Sequence, residues 1–331
     1  MEKLIYAALI SFALTIGLGL LVIPVLKRMR FGQNIRDDGP QSHLKKAGTP
    51  TMGGLFFIPP IIAAVLVLAE GSLDFPLVCL LTMLGFGAIG FADDIIKIRQ
   101  KRSLGLKAYQ KIIGQLGLSL ILALYAYNHP DIGSAIRIPF TQAEWDMGVF
   151  YIPVMVLVII YMVNSVNLTD GLDGLVSGVT LVSSLGLGSA AMVLWQMSDS
   201  EGLAYLASNY QNIMICAGAG AGACMGFLRY NAHPAKVFMG DTGSMALGGL
   251  IMSVSLLTRL PLYLPFFGGI YIVESMSVIL QVISYKTTGK RIFRMSPIHH
   301  HYELKGMPEV KIVTMFVVAC VLLGMVGLLA L

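Results

Sequence analysis

Charge is scarce in this chain. Of 331 residues, 12% are Asp, Glu, Lys or Arg and 56% are apolar, a balance that excludes an ordinary soluble domain. Cysteine is scarce as well. Cys79, Cys216, Cys224 and Cys320 each fall inside an apolar stretch, and none has metal-type spacing. They are expected to be buried thiols that pack as small hydrophobes. Linkers, low-complexity tracts and internal repeats are missing, so a single polytopic membrane domain over residues 1–331 is the economical reading. The first apolar run has no small-residue cleavage site and leads into Lys27-Arg28-Met29-Arg30. It is therefore expected as a retained helix, not a signal peptide.

What the chain has in abundance is long apolar runs. A helix needs about 20 apolar residues to cross a bilayer core. Runs of that kind lie near 4–26, 53–69, 76–92, 110–127, 148–166, 175–197, 211–228, 243–260, 264–285 and 312–331. Pro59-Pro60 interrupts the second and Gly248-Gly249 the eighth. The expected fold is all-α and integral to the membrane, with about ten transmembrane helices. All of the 23 Lys and Arg except Lys3, Arg137 and Arg259 follow odd-numbered runs. Basic short loops stay cytoplasmic, so the N and C termini are expected outside. The net charge of +5 comes mostly from those loops and points to anionic lipid or phosphate rather than nucleic acid. On the opposite side, residues 136–140 and Trp145 predict a short outer hairpin with an aromatic anchor. Residues 198–210 predict a small surface helix that turns Leu203, Tyr205 and Leu206 to lipid.

Several patterns are read as structural. Gly85-Phe86-Gly87-Ala88-Ile89-Gly90 matches the dinucleotide fingerprint, but that motif needs a preceding strand. Here it lies within an apolar helix and reads as close helix packing. The alternating Gly and Ala of 217–223 read as a small-residue packing face. Asn167-Leu168-Thr169 has the form of a glycosylation sequon but falls on the cytoplasmic side. Glu274, near the middle of the ninth run, is either functional or a protonated carboxyl bonded to a neighbouring helix.

The basic face also carries the acids. Asp93-Asp94-Ile95-Ile96-Lys97 closes the third run. Adjacent carboxylates at a low-dielectric boundary need a cation to stay ionised, and hard oxygen ligands suit Mg²⁺ with substrate phosphates; the alternative is a solvated helix end. The segment Asn164-Ser165-Val166-Asn167-Leu168-Thr169-Asp170-Gly171-Leu172-Asp173-Gly174 joins the fifth and sixth runs without a basic residue. Helix capping accounts for one of its acids but not for two acids and two asparagines. In Phe238-Met239-Gly240-Asp241-Thr242-Gly243-Ser244, Asp241 either caps the eighth helix or binds metal. His299-His300-His301 cannot all ligate one ion from a regular helix, where successive side chains diverge by roughly 100°. Phosphate hydrogen bonding or structural pairing fits them better than zinc. Together these groups fit metal-assisted phosphoryl transfer to a membrane-anchored acceptor.

Taken in order, these motifs and Lys45-Lys46-Ala47-Gly48-Thr49-Pro50-Thr51-Met52-Gly53-Gly54 resemble the phospho-N-acetylmuramoyl-pentapeptide transferases. These belong to the polyprenyl-phosphate N-acetylhexosamine-1-phosphate transferase superfamily, and the resemblance runs through essentially the whole chain. It implies transfer of phospho-MurNAc-pentapeptide from a UDP carrier to undecaprenyl phosphate, with Mg²⁺, by homodimers in the bacterial plasma membrane. By the resemblance, Asp241 ligates Mg²⁺ with Asp93 and Asp94 close by, and Asp93 is the candidate base. Lys46, Thr51, Asn164, Asn167, Asp170, Asp173, Asn231, Phe238, Gln281, His299, His300 and His301 match substrate-pocket positions, and Lys97 and Lys111 phosphate contacts. Phe238 is suited to stacking a uracil and Asp173 to accepting from its N–H. Direct attack by the lipid phosphate and a covalent aspartyl-phosphate route both remain open. The alternatives in function are an N-acetylglucosamine-1-phosphate transferase and an anion transporter.

Overall fold

A backbone inside a bilayer must satisfy its own polar groups, which makes helices the default for apolar runs of this length. The computed structural model describes residues 1–29, 46, 48–100, 102, 104–141 and 143–331, so Lys45 and Ala47 of the first motif lie outside the described residues. In order, α1 is Glu2–Arg28, α2 Gly54–Leu68, α3 Asp74–Gln100, α4 Ala108–Asn128, α5 Tyr151–Thr169 and α6 Leu175–Ser200. These are followed by α7 Ala204–Asn231, α8 Gly240–Leu257, α9 Leu264–Phe267, α10 Gly269–Thr288, α11 Ile298–Glu303 and α12 Glu309–Leu329. A two-stranded hairpin, β1 Ala135–Arg137 and β2 Glu144–Asp146, forms where its sequence predicts one, with Ile136 opposite Trp145.

Nine of the ten apolar runs each fall on one helix, and the ninth is divided between α9 and α10. Among the described residues six helices are long and apolar enough to cross a membrane, and a seventh forms if Pro261–Phe267 and Gly269–Thr288, bent by 91°, are one span. The chain is therefore a multi-pass, all-α membrane protein. The interrupted runs behave differently from one another. Pro59-Pro60 does not break α2, but its 15 residues span only about 22 Å at 1.5 Å per residue, less than a bilayer core. Gly248-Gly249 leaves α8 continuous, whereas the ninth run, whose equivalent Gly268-Gly269 was not read as an interruption, turns sharply there. The expected surface helix over 198–210 does not form. Residues on either side of the turn at Glu201 and Gly202 belong to α6 and α7, and the Tyr205 hydroxyl donates 2.7 Å to Asp74 at the start of α3. That carboxylate also accepts from Tyr125, which ties three helix ends together.

The central helix is α7, buried along most of its length. Its glycines do what the small-residue reading expects. A Cβ at Gly218, Gly222 or Gly226 would strike the α1 carbonyls of Leu4, Ala8 or Phe12, so the two backbones pack in direct contact. Two of the pseudo-fingerprint glycines of α3 serve the same purpose against α8, while Gly85 faces Leu118 of α4. Gly87 faces Ala246, and a Cβ at Gly90 would overlap the Asp241 carbonyl. This contact brings the acid at the start of α8 beside the two acids at the end of α3. All four cysteines are buried and free.

Candidate active site

Asp93, Asp94 and Asp241 converge, with one carboxylate oxygen of each within 4.8 Å of the others. Two of them have structural duties that fix their positions. Asp94, buried, accepts from the Asp241 N–H at 3.2 Å, the Thr242 N–H at 2.9 Å and the Thr242 hydroxyl at 2.7 Å. It thereby caps the first turn of α8 from a different helix, satisfying N–H groups that have no partner within α8. Asp93 accepts from the Leu106 N–H at 2.8 Å and pairs with Lys97, one helical turn on, at 2.6 Å. Lys97 also reaches Asp241 at 3.1 Å, and Lys111 reaches it at 2.8 Å. Asn167 donates to the second Asp241 oxygen at 3.0 Å and to Ser244 at 2.8 Å.

The acids outnumber the ammonium groups here. Crowding by protein, then the negative charges of Asp241, Asp94 and Asp173, push the Asp170 carboxyl up to about 8 against the pull of Lys97. Even with Asp170 protonated, Asp93, Asp94 and Asp241 pair, among the described residues, with the two ammonium groups of Lys97 and Lys111. A surplus of negative charge on hard oxygen donors fits a divalent cation of the Mg²⁺ type.

A second ionic cluster adjoins the first. Lys46 bonds to Asp173 at 2.7 Å and to both oxygens of Glu309 at 2.7 and 2.9 Å. Burial opposes the charge, but the hydrogen bonds to Asp173 and Glu309 hold the Lys46 ammonium above its ordinary range. His233 approaches Asp173 at 3.2 Å and Glu309 at 3.3 Å. The strap of residues 231–241 joins the two clusters. At one end Asn231 accepts from the Gly174 N–H and donates to the Val237 carbonyl. In the middle Phe238 is half-buried, its N–H donating to Pro50 and its carbonyl accepting from Gly53. At the other end Gly240 takes a positive φ of 73°, where a Cβ would stand 2.7 Å from an Asp94 oxygen. Thr51, also buried, lies against the same glycine.

The remaining expected residues lie elsewhere or hold the scaffold. Asn164 exchanges hydrogen bonds with Gln115 at 3.2 and 2.7 Å, tying α5 to α4. Gln281 is occupied in folding back the segment after α10, accepting from Ile292 and Phe293 N–H and donating to the Phe293 carbonyl. The three histidines of α11 take different partners, although the His299 and His300 rings touch with centroids 4.1 Å apart. His300 meets Glu303 at 2.7 Å, and His301 accepts from the Arg294 N–H. His299, fully buried, meets Glu274 at 3.0 Å, so this intramembrane carboxyl has a buried partner on a neighbouring helix. The His299 ring fills the space a side chain at Gly171 would take, so the pair also supports the loop that carries Asp170. Removing one member of a buried pair strands the other. Glu274→Ala is expected to destabilise the protein by about 3 kcal/mol, and Glu274→Gln by less, as read by thermal unfolding in detergent.

Sequence reasoning passed over Glu309, His233 and Gln115, and gave Thr242 and Ser244 no role within the motif that holds them. Pro308-Glu309 reads as a helix start, but nothing local ties it to Lys46, 263 residues away.

Comparison with known proteins agrees with this geometry. Residues 76–259 match glycosyl transferase family 4, and residues 46–58 match the phospho-N-acetylmuramoyl-pentapeptide-transferase signature 1. The chain is 49% identical over 330 residues to the phospho-N-acetylmuramoyl-pentapeptide-transferase of Desulfitobacterium hafniense, covering 99% of this chain and 98% of that one. It is 47% identical over 331 residues to the protein of the same name from Clostridium kluyveri, covering 100% of both. The one from Clostridioides difficile is 48% identical over 328 residues, 99% of this chain and 98% of its own. With the signature segment bonded to the strap through Pro50 and Gly53 and the likeness extending from end to end, the chain belongs to the phospho-N-acetylmuramoyl-pentapeptide-transferase family.

Proposed function

We propose that this protein transfers phospho-MurNAc-pentapeptide from UDP-MurNAc-pentapeptide to undecaprenyl phosphate, giving undecaprenyl-diphospho-MurNAc-pentapeptide and UMP for peptidoglycan synthesis. The observation that carries the reading is the convergence of Asp93, Asp94 and Asp241 with Lys97 and Lys111 at adjoining helix ends. In the proposed topology, ten helical segments form one membrane domain over 1–331, with both termini outside and the site facing the cytoplasm. The basic loops support that orientation. Homodimerisation rests on the resemblance alone.

An oxygen of the lipid phosphate forms a bond to the β-phosphorus of the donor. The bond from that phosphorus to the bridging oxygen breaks, and UMP leaves with the electron pair. Lys97 and Lys111 are placed to neutralise phosphate oxygens, and Asn167 orients Asp241. Both Asp93 oxygens are engaged, by Lys97 and by the Leu106 N–H. That favours a role in positioning Lys97 over service as base or nucleophile. A phosphate acceptor is already ionised at neutral pH, so direct displacement asks little of a base. Asp241 would hold Mg²⁺ with Asp93 and Asp94 beside it, and the ion would neutralise charge on the diphosphate.

Detergent-purified protein with undecaprenyl phosphate is expected to release UMP from UDP-MurNAc-pentapeptide, to lose activity on chelation and to regain it with Mg²⁺. Activity with UDP-N-acetylglucosamine alone would move the assignment to the neighbouring transferases. A phosphorylated aspartate trapped by rapid quench would replace direct attack with the covalent route.

A further inference from the structure

We propose that Glu309 is a positioning residue of the donor site, acting through Lys46, Asp173 and His233. One carboxylate gathers three distant parts of the chain. Its Oε1 accepts from the Asp173 N–H at 2.6 Å and from Lys46 at 2.7 Å. Its Oε2 accepts from Lys46 at 2.9 Å and lies 3.3 Å from His233 Nδ1. Each gathered segment carries a further site residue. Thr51 follows Lys46, Asp170 precedes Asp173, and Phe238 and Asp241 follow His233.

The geometry favours positioning over simple charge pairing. A bond to a backbone N–H fixes the path of the 170–174 turn, and a charged acceptor makes that bond stronger than a neutral one. The two-oxygen grip on Lys46 fixes the ammonium between Glu309 and Asp173, so its direction is set from two sides. The Glu309 side chain is 10% exposed, so solvent does little to weaken these bonds. Its place in the first turn of α12 also suits a negative charge, because the helix N-terminus is positive. The chain's last helix thus reaches the site through a side chain that none of the recognised motifs contains.

The inference rests on the reading that Lys46 and Asp173 contact the nucleotide donor. Glu309→Gln keeps the size and loses the charge that holds Lys46. It is expected to raise the KM for the UDP-linked donor and the Kd for UMP by about tenfold or more. Both kcat and the KM for undecaprenyl phosphate should stay within about twofold. Glu309→Asp, which keeps the charge with a shorter reach, should fall between. UMP binding is read by calorimetry on detergent-purified protein whose unfolding temperature is recorded alongside. Wild-type UMP affinity in either folded variant overturns the proposal. So does an equal rise in KM for both substrates, which would mark a general structural role. If the unaltered protein itself fails to bind UMP, the donor-site reading falls with it. Normal UMP binding by the unaltered protein, together with unchanged binding by Glu309→Gln, sinks the role of Glu309 alone.

Discussion

Replacing Asp241 by Ala is expected to cut UMP release by about 10³-fold or more, even in excess Mg²⁺, while the protein stays folded in detergent. Loss of one preorganised group that stabilises transition-state charge has effects of this order. Asp241 is the junction of the cluster, where Lys97, Lys111 and Asn167 all meet its two oxygens. Its removal leaves Lys97 with Asp93 and Lys111 with Asn167, so neither ammonium is stranded and the fold survives. Asp241→Asn keeps the shape but not the charge, and the same loss is expected from it. Size-exclusion elution and thermal unfolding separate lost chemistry from lost structure. UMP release near the wild-type rate from either variant would remove Asp241 from the metal site.

Asp94→Ala should fail in a different way. Asp94 is 3% exposed and accepts three hydrogen bonds from the first turn of α8. Without it, two N–H groups and a hydroxyl lose their acceptor in a buried place. The expected cost is about 2–4 kcal/mol, from a lost cap together with unsatisfied donors. Activity should fall with stability because Asp241 sits in the turn that loses its anchor. Asp94→Asn keeps one acceptor oxygen and should recover part of the stability. The check is thermal unfolding of both variants beside UMP release. Wild-type unfolding of Asp94→Ala with lost turnover would instead give Asp94 a purely chemical role.

The contrast between these adjacent acids marks what was legible in the sequence. Ten apolar runs, a hairpin and the loops that carry chemistry could be read because each is a local pattern. The paired carboxylates and the Asp241 turn were visible for the same reason. That Asp94 caps another helix could not be seen, because the cap lies 147 residues away in sequence. Glu309 was hidden likewise, since its partners come from three separate segments. Glu274 was seen as costly, but its partner His299 belonged to a motif read for other reasons. The bend at Gly268-Gly269 was missed because glycine is common in membrane helices and hydropathy does not register direction. The surface helix over 198–210 failed because a polar stretch between two long helices was counted as an element of its own.

The strap of residues 231–241 has a mechanical consequence. It is tied down at both ends, by the Asn231 clasp and by the Asp94 bonds to α8, and in the middle by the Phe238 backbone. A segment pinned at three points cannot lengthen or slide without breaking a buried hydrogen bond. Under the proposed reading it serves as a ruler, setting a constant interval between where the nucleotide is gripped and where the phosphorus–oxygen bond is cut. A donor with a longer or shorter bridge would meet one end of the site in register and miss the other.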